Sequence, residues 1–185
     1  SLVSFDPDID MAKEQRTVEA VRLAEWYHGC DEGRLLVDFS LHAEYTNVPK
    51  ACEYVADLAR RCRTGMQIHL SETEREHAEC LERWGKTPAE FFRDTGVFDV
   101  PTTAAHCVWV TDSDIAILRE KGVTVAHNPV SNLKLGSGVA PLRKLLDAGV
   151  NVALGTDGVA SNNRLDILRE LQTAALIHKG VHRNP

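Results

Sequence analysis

The sequence predicts an α/β fold with a parallel sheet, and three observations carry that expectation. Short apolar runs suited to buried strands alternate with longer stretches of helical period. Capping and stop residues punctuate the helices, and the conspicuous polar residues gather at the C-terminal ends of the strands. The runs are apolar on both faces, as a sheet covered by helices requires.

In chain order, Met11 to Cys30 reads as a helix and Leu35-Leu36-Val37-Asp38-Phe39 as the first strand. A helix from Val48 to Arg63 leads to a second strand, Met66-Gln67-Ile68-His69-Leu70, and then to a Glu-rich helical stretch from Glu72 to Trp84. Thr87-Pro88 sets a capping residue before a proline at the first helical position, which opens another short helix. The third strand spans Thr103 to Cys107; Thr111-x-x-Asp114 then opens a helix that runs to Lys121 and stops at Gly122. Val123 to His127 is the fourth strand. A helix from Val139 to Ala148 ends at Gly149, Val150 to Leu154 is the fifth strand, and Leu165 to Lys179 is the last helix. Five such strands build either part of an eight-fold barrel, which takes ~250 residues when complete, or a small open doubly wound sheet. No internal repeat, low-complexity tract or linker divides the chain, so residues 1–185 read as a single domain.

Composition narrows the function. With 43% hydrophobic and 26% charged residues, the 185-residue chain can bury a real core. The net charge is -6 and the basic residues are scattered, which argues against a nucleic-acid partner and leaves a small molecule. Five cysteines, odd in number and never spaced C-x-x-C, suggest neither a disulfide framework nor a zinc knuckle and fit a reducing, cytoplasmic setting. No apolar run approaches the ~18 residues of a membrane span and no basic-then-apolar leader opens the chain, so no membrane association is expected.

His42 follows the first strand, His69 and Glu72 end the second, His106 the third, His127-Asn128-Pro129 the fourth and Thr156-Asp157 the fifth. A lone histidine at a strand end is more often packed or capping than functional. Five successive strands carrying one polar group each at the same end is a pattern that packing does not select. The chemistry that would use it is metal-assisted hydrolysis. A divalent ion held by imidazole and carboxylate lowers the pKa of bound water to about 7, and a neighbouring carboxylate moves the proton to the substrate. His69 supplies an imidazole. Asp157 can ligate the metal and accept the proton. Glu72, three residues past His69, can face the same cavity and shuttle protons, and His106 can orient the nucleophile.

The segments His69-Leu-Ser-Glu72, Ala105-His106-Cys107, His127-Asn-Pro-Val-Ser-Asn132-Leu-Lys-Leu-Gly136 and Gly155-Thr-Asp157-Gly-Val-Ala-Ser-Asn162-Asn163 resemble the amidohydrolase superfamily. The branch they are most similar to deaminates S-adenosylhomocysteine, methylthioadenosine and adenosine, beside the triazine chlorohydrolases. The resemblance covers roughly Leu35 to the end. It implies a TIM-type (β/α) barrel of which this chain supplies strands four to eight, a partial barrel. It implies His69 and Asp157 as metal ligands, Glu72 as the proton shuttle contacting the purine, and His106 as the group steering the attacking hydroxide. His42, in Leu41-His-Ala-Glu-Tyr45-Thr46, resembles a substrate-binding histidine of that branch, whose motif more often reads His-Ala-Pro-Tyr-Thr; Glu44 departs from it. No lysine ends the first strand, where two-metal relatives carry a carboxylated one, so a single divalent metal is implied, zinc first and iron(II) as a compatible alternative.

The resemblance also implies a His-x-His pair on the first barrel strand, and no two histidines here are separated by one residue. The chain is therefore expected to lack the N-terminal barrel strands and the small β-sandwich, to bind metal weakly and to be inactive alone. Three readings stand: the longer parent is an adenine-nucleoside deaminase releasing ammonia; it is a triazine or other heterocycle hydrolase; or the 185-residue chain is an inert half-barrel, whose open edges would favour a homo-oligomer. Elsewhere, Glu72, Glu74, Glu76 and Glu79 read as a solvated helix face apart from Glu72, and His28, His77, His178 and His182 as surface residues. Leu142, Leu145 and Leu146 read as core, and Trp26, Trp84 and Trp109 as packing residues.

Overall fold

A computed structural model of the chain describes residues 1–183. Its elements are α1 (Gln15–Tyr27), a short irregular turn α2 (Cys30–Gly33), β1 (Phe39–Ser40), α3 (Pro49–Cys62), β2 (Met66–Leu70), α4 (Glu74–Trp84), α5 (Pro88–Asp94), β3 (Thr102–His106), α6 (Asp112–Glu120), β4 (Thr124–His127), α7 (Pro129–Lys134), α8 (Leu142–Asp147), β5 (Asn151–Leu154), α9 (Val159–Asn162) and α10 (Ile167–His182). The five strands form one sheet in the order β1-β2-β3-β4-β5, every neighbouring pair parallel. This is the strand-helix succession of a partial barrel. Because all strands run the same way, their C-terminal ends share one face. The registers Leu70 to His106 and His127 to Leu154 bring successive strand ends level with one another.

Local sequence explains the helices. Pro49 occupies the first turn of α3, whose buried face carries Ala51, Cys52, Val55, Ala56, Leu58 and Ala59 at helical spacing. Thr87 with Glu90 and Thr111 with Asp114 close reciprocal capping boxes on α5 and α6. Strand side chains such as Phe39, Ile68, Leu70, Ala104 and Val125 pack with Phe92, Leu118 and Leu145 from the helices in one buried cluster.

Several boundaries differ from the sequence reading, each for a local reason. The first helix starts at Gln15, not Met11, because the Glu14 carboxylate caps it by accepting from the Thr17 N–H at 2.7 Å. The first strand is only Phe39–Ser40; Leu35 and Leu36 are exposed, and the Asp38 carboxylate turns to the Gly65 N–H and the Gln67 amide. The outer edge of β1 is partly covered by the chain's first residues: the Leu2 N–H donates to the Ser40 carbonyl at 2.7 Å and the His42 N–H to the Leu2 carbonyl at 3.0 Å. α8 begins only at Leu142, after Pro141. α10 starts where Asp166 accepts from the Leu168 and Arg169 N–H groups, and it runs on to His182. The short helices α7 and α9 lie in stretches that show no helical period long enough to read.

Three side-chain expectations also fail. His178 is buried, not on the surface, with its Nε2 3.1 Å from Nε2 of the buried His127, so α10 packs over the end of β4. Glu76 is buried rather than part of a solvated helix face. Leu145 is core as expected, whereas Leu146 is half exposed. No helix among the described residues is long and apolar enough to cross a membrane, and all five cysteines are free thiols.

Candidate functional site

The end of β2 presents His69. Its Nδ1 lies 2.7 Å from the backbone carbonyl of His42, an acceptor only, so Nδ1 carries the proton and Nε2 keeps its lone pair. The end of β3 presents His106, fully buried, with Nδ1 2.8 Å from Asn132 Oδ1 and Nε2 left as the free nitrogen. The two rings stack with centroids 5.4 Å apart. From beyond β5 comes Asp157, whose Oδ2 accepts from the Ser131 hydroxyl at 2.6 Å and Oδ1 from the Gly158 N–H at 2.6 Å. Ligand atoms of His69, His106 and Asp157 all lie within 4.8 Å of one another, the only such cluster of metal-binding side chains among the described residues. Two imidazoles with oriented tautomers and one carboxylate suit a borderline divalent ion. His106 thus stands within ligating reach, a position the sequence reading gave only to His69 and Asp157.

Backbone geometry puts these side chains there. His106 has φ 73°, Cys107 49°, Asp157 60° and Ser71 45°, all in the left-handed region that non-glycine residues rarely adopt. Such strain collects at functional sites. At Gly155, two residues before Asp157, a Cβ would collide with Asn128 Oδ1, so any other residue there would displace the buried Asn128 side chain.

Glu72 sits beside the cluster. Its Oε2 is 3.7 Å from His106 Nε2 and its Oε1 accepts from the Ser137 hydroxyl at 3.1 Å. The turn carrying Glu72 is fixed by Glu76, which accepts from the Ser71 N–H at 3.0 Å and the Glu72 N–H at 2.7 Å while Thr73 caps α4 through the Glu76 N–H. Burial pushes the Glu76 carboxyl up to about 7 against the pull of those N–H bonds. The pattern Thr73-x-x-Glu76, a capping-box signature, was the signal that could have separated Glu76 from its exposed neighbours.

His42 lies at the mouth of the cluster, its ring 5.0 Å from that of His69 and 5.7 Å from that of Tyr45, with Nδ1 3.1 Å from the Thr46 hydroxyl. Burial, then repulsion from His69, holds it below the usual histidine range. For Asp157, burial pushes upward, but the Ser131 and Gly158 hydrogen bonds and the two histidines outweigh it and keep the carboxyl low. Glu44 does not face this space. It is buried against Arg83 of α4, Oε1 to Nη2 2.6 Å, so the departure from proline in that motif serves an inter-element ion pair. Tyr45, Glu72, Thr73, Arg75, Glu76 and Glu79 line an open groove of about 330 Å³ beside the cluster.

Of the other histidines and tryptophans, His28 pairs with the Val37 backbone and His77 with the Ser71 hydroxyl. Trp109 donates to the Ser137 carbonyl at 2.7 Å. Sequence reasoning missed Ser131, Asn132 and Ser137 as partners of site residues; Ser131 and Asn132 lie within a visible motif and Ser137 just past it, but none of their targets was visible.

Comparison with known proteins agrees with this architecture. The chain is 48% identical over 171 residues to a 5-methylthioadenosine/S-adenosylhomocysteine deaminase of Caldanaerobacter subterraneus, covering 92% of this chain and 40% of that protein. It is 47% identical over 167 residues to a 5'-deoxyadenosine deaminase of Methanosarcina mazei, covering 90% of this chain and 39% of that protein. The chain thus spans about two fifths of the length of these curated relatives. The crystal structure of an adenosine deaminase from Xanthomonas campestris with bound zinc superposes with a TM-score of 0.83 at 35% identity, over 90% of this chain and 37% of that one. The zinc complex of atrazine chlorohydrolase from Arthrobacter aurescens gives a TM-score of 0.83 at 28% identity, over 91% of this chain and 38% of that one. The model of the amidohydrolase family matches residues 4–185, and the chain belongs to that family.

Proposed function

We propose that the polypeptide to which this chain belongs is a metal-dependent hydrolytic deaminase acting on the 6-amino group of adenine-type nucleosides such as methylthioadenosine, S-adenosylhomocysteine or adenosine, with release of ammonia. The observation that carries it is the convergence of His69, His106 and Asp157 beside Glu72, in a chain nearly half identical to relatives named for that reaction.

His69 and Asp157 hold the metal, zinc before iron(II), and His106 stands beside them within reach of the same position. When bound, the metal supplies a water acidic enough to lose a proton near neutral pH. Glu72 carries protons between that position and the purine ring nitrogen, its Oε2 facing the cluster and its Oε1 tied to Ser137. His106 orients the attacking group, and Asp157, held ionised, accepts a proton from it. His42 contacts the substrate from the Tyr45 side. The substrate is a small molecule, with neither nucleic acid nor membrane as a partner. The His-x-His pair of the resemblance is absent from this sequence, so the 185-residue chain, with only His69, Asp157 and the neighbouring His106 to offer, binds metal more weakly than the longer polypeptide and turns nothing over.

The test is ammonia release by the longer polypeptide, one that also carries a His-x-His strand, on adenosine, 5'-deoxyadenosine, methylthioadenosine and S-adenosylhomocysteine, with a triazine in parallel. Turnover of the nucleosides is expected. Activity confined to the triazine would instead favour the second reading, which the likeness to atrazine chlorohydrolase supports. Stoichiometric zinc or ammonia release from the 185-residue chain would overturn the account of the chain alone.

A further inference from the structure

We infer that the segment from Ser131 to Ser137, comprising the end of α7 and the turn after it, is the positioning element of the site, holding three different site side chains through three separate hydrogen bonds. The inference rests on the site roles proposed above. Ser131 donates to Asp157 Oδ2 at 2.6 Å, Asn132 Oδ1 engages His106 Nδ1 at 2.8 Å, and Ser137 donates to Glu72 Oε1 at 3.1 Å. The targets come from beyond β5, from the end of β3 and from the turn after β2, so one seven-residue segment ties together groups carried by three separate parts of the sheet's C-terminal face.

Ser131, Asn132 and Ser137 are all buried. Buried polar groups ordinarily find partners, and the two serine hydroxyls and the Asn132 side-chain oxygen each find theirs on a different site residue. The segment is itself pinned at both ends. At its start, Glu170 of α10, fully buried, accepts from the Val130 N–H at 3.1 Å and from the Asn162 amide at 2.6 Å. At its finish, the Trp109 indole donates to the Ser137 carbonyl at 2.7 Å, and the Ser137 N–H returns to the Asn132 carbonyl at 2.8 Å. Gly138, with φ 121°, lets the turn press against Val108, where a Cβ would come within 3.1 Å. A segment anchored this way transmits position to what it grips.

The three bonds do different things, which makes the inference testable. The Ser137 bond orients the carboxylate that moves protons, and the Ser131 bond orients a metal-ligating carboxylate. Outer partners of this kind are worth about 10- to 100-fold in activity or metal affinity. In the longer polypeptide, Ser137→Ala is expected to lower kcat about 10- to 100-fold with KM changed less than about twofold and zinc affinity unchanged, and Ser137→Thr to restore most of the loss. Ser131→Ala is expected instead to weaken zinc binding about 10-fold or more in a chelator competition. A Ser137→Ala kcat within about twofold of the parent, or zinc losses of equal size in both alanine variants, overturns the inference. Should the parent turn over no adenine nucleoside, the functional reading falls while the zinc titration still decides: loss in Ser131→Ala alone supports the positioning role, and equal loss or none in either overturns it.

Discussion

β3 and β5 do the same job in different surroundings. Each delivers one site residue, His106 or Asp157, through a left-handed backbone turn at its C-terminal side. β3 alternates buried and half-buried residues and lies between two hydrogen-bonded neighbours, while β5 alternates half-buried with exposed residues and has one. The helix after β5 is apolar where it meets solvent: Leu168 and Leu176 of α10, with Leu165 before it, are mostly exposed. A strand's composition therefore declares how much cover it is made for, and its neighbours decide how much it has. In relatives more than twice as long, that cover can come from further chain.

The first way to break the comparison is at the site. Glu72→Gln in the longer polypeptide is expected to cost ~10²–10⁴ in turnover, and a near-normal rate would remove Glu72 from the proton path. Next comes the scaffold. Truncating Leu70 or Leu118, both fully buried, to alanine should cost about 2–5 kcal/mol in urea unfolding. The same truncation at Leu168 or Leu176 should stay within about 0.5 kcal/mol in this chain. Equal costs would show that α10 is covered in solution, as by a second copy of the chain.

The ends of β4 and β2 sharpen the contrast through pH. Burial, then His178 and His106, pulls His127 down to about 4 from 6.5, so its neutral form stabilises the fold above pH 6.5 and that contribution is lost as pH falls toward 4. Burial raises Glu76 from 4.5 to about 7, so its contribution is full below pH 4.5 and is lost as pH rises through 7. Each is worth about 3 kcal/mol from shifts of this size, and the two slopes oppose. His127→Gln should leave stability declining from pH 4.5 to 7, and Glu76→Gln should leave it rising over pH 4 to 6.5. Matching slopes in the two variants would contradict both assignments. The smallest effect belongs to the surface: Arg143→Ala, breaking an exposed pair with Asp147, should leave the urea unfolding midpoint unchanged.

Most of the fold was legible because strands covered on both sides must be apolar, and β2 to β5 lie within a residue of their expected positions. β1 was misplaced because Leu35 and Leu36 look like core and are not; apolar content alone does not report that Asp38 diverts the chain to Gly65. α7 and α9 were invisible because helices of six and four residues complete too few turns to show a period. Of the site, His42, His69, Glu72, His106 and Asp157 were legible as residue types at strand ends. Their partners were not, because a serine that bonds across 26 or 65 positions leaves no local trace. Even His178 was read as a surface residue, since only tertiary packing brings it to His127.

The left-handed turns at Ser71, His106, Cys107 and Asp157 carry one further consequence. Each stores torsional energy that the surrounding packing must supply, about 1–3 kcal/mol per residue. A glycine at Cys107 would release that tension without removing any side chain of the His69, His106 and Asp157 cluster, and it would also let the end of β3 wander. Because Cys107 is itself fully buried in the core, the substitution would also leave a void, and the two effects together would show as a His106 that no longer returns to the same place after each fluctuation.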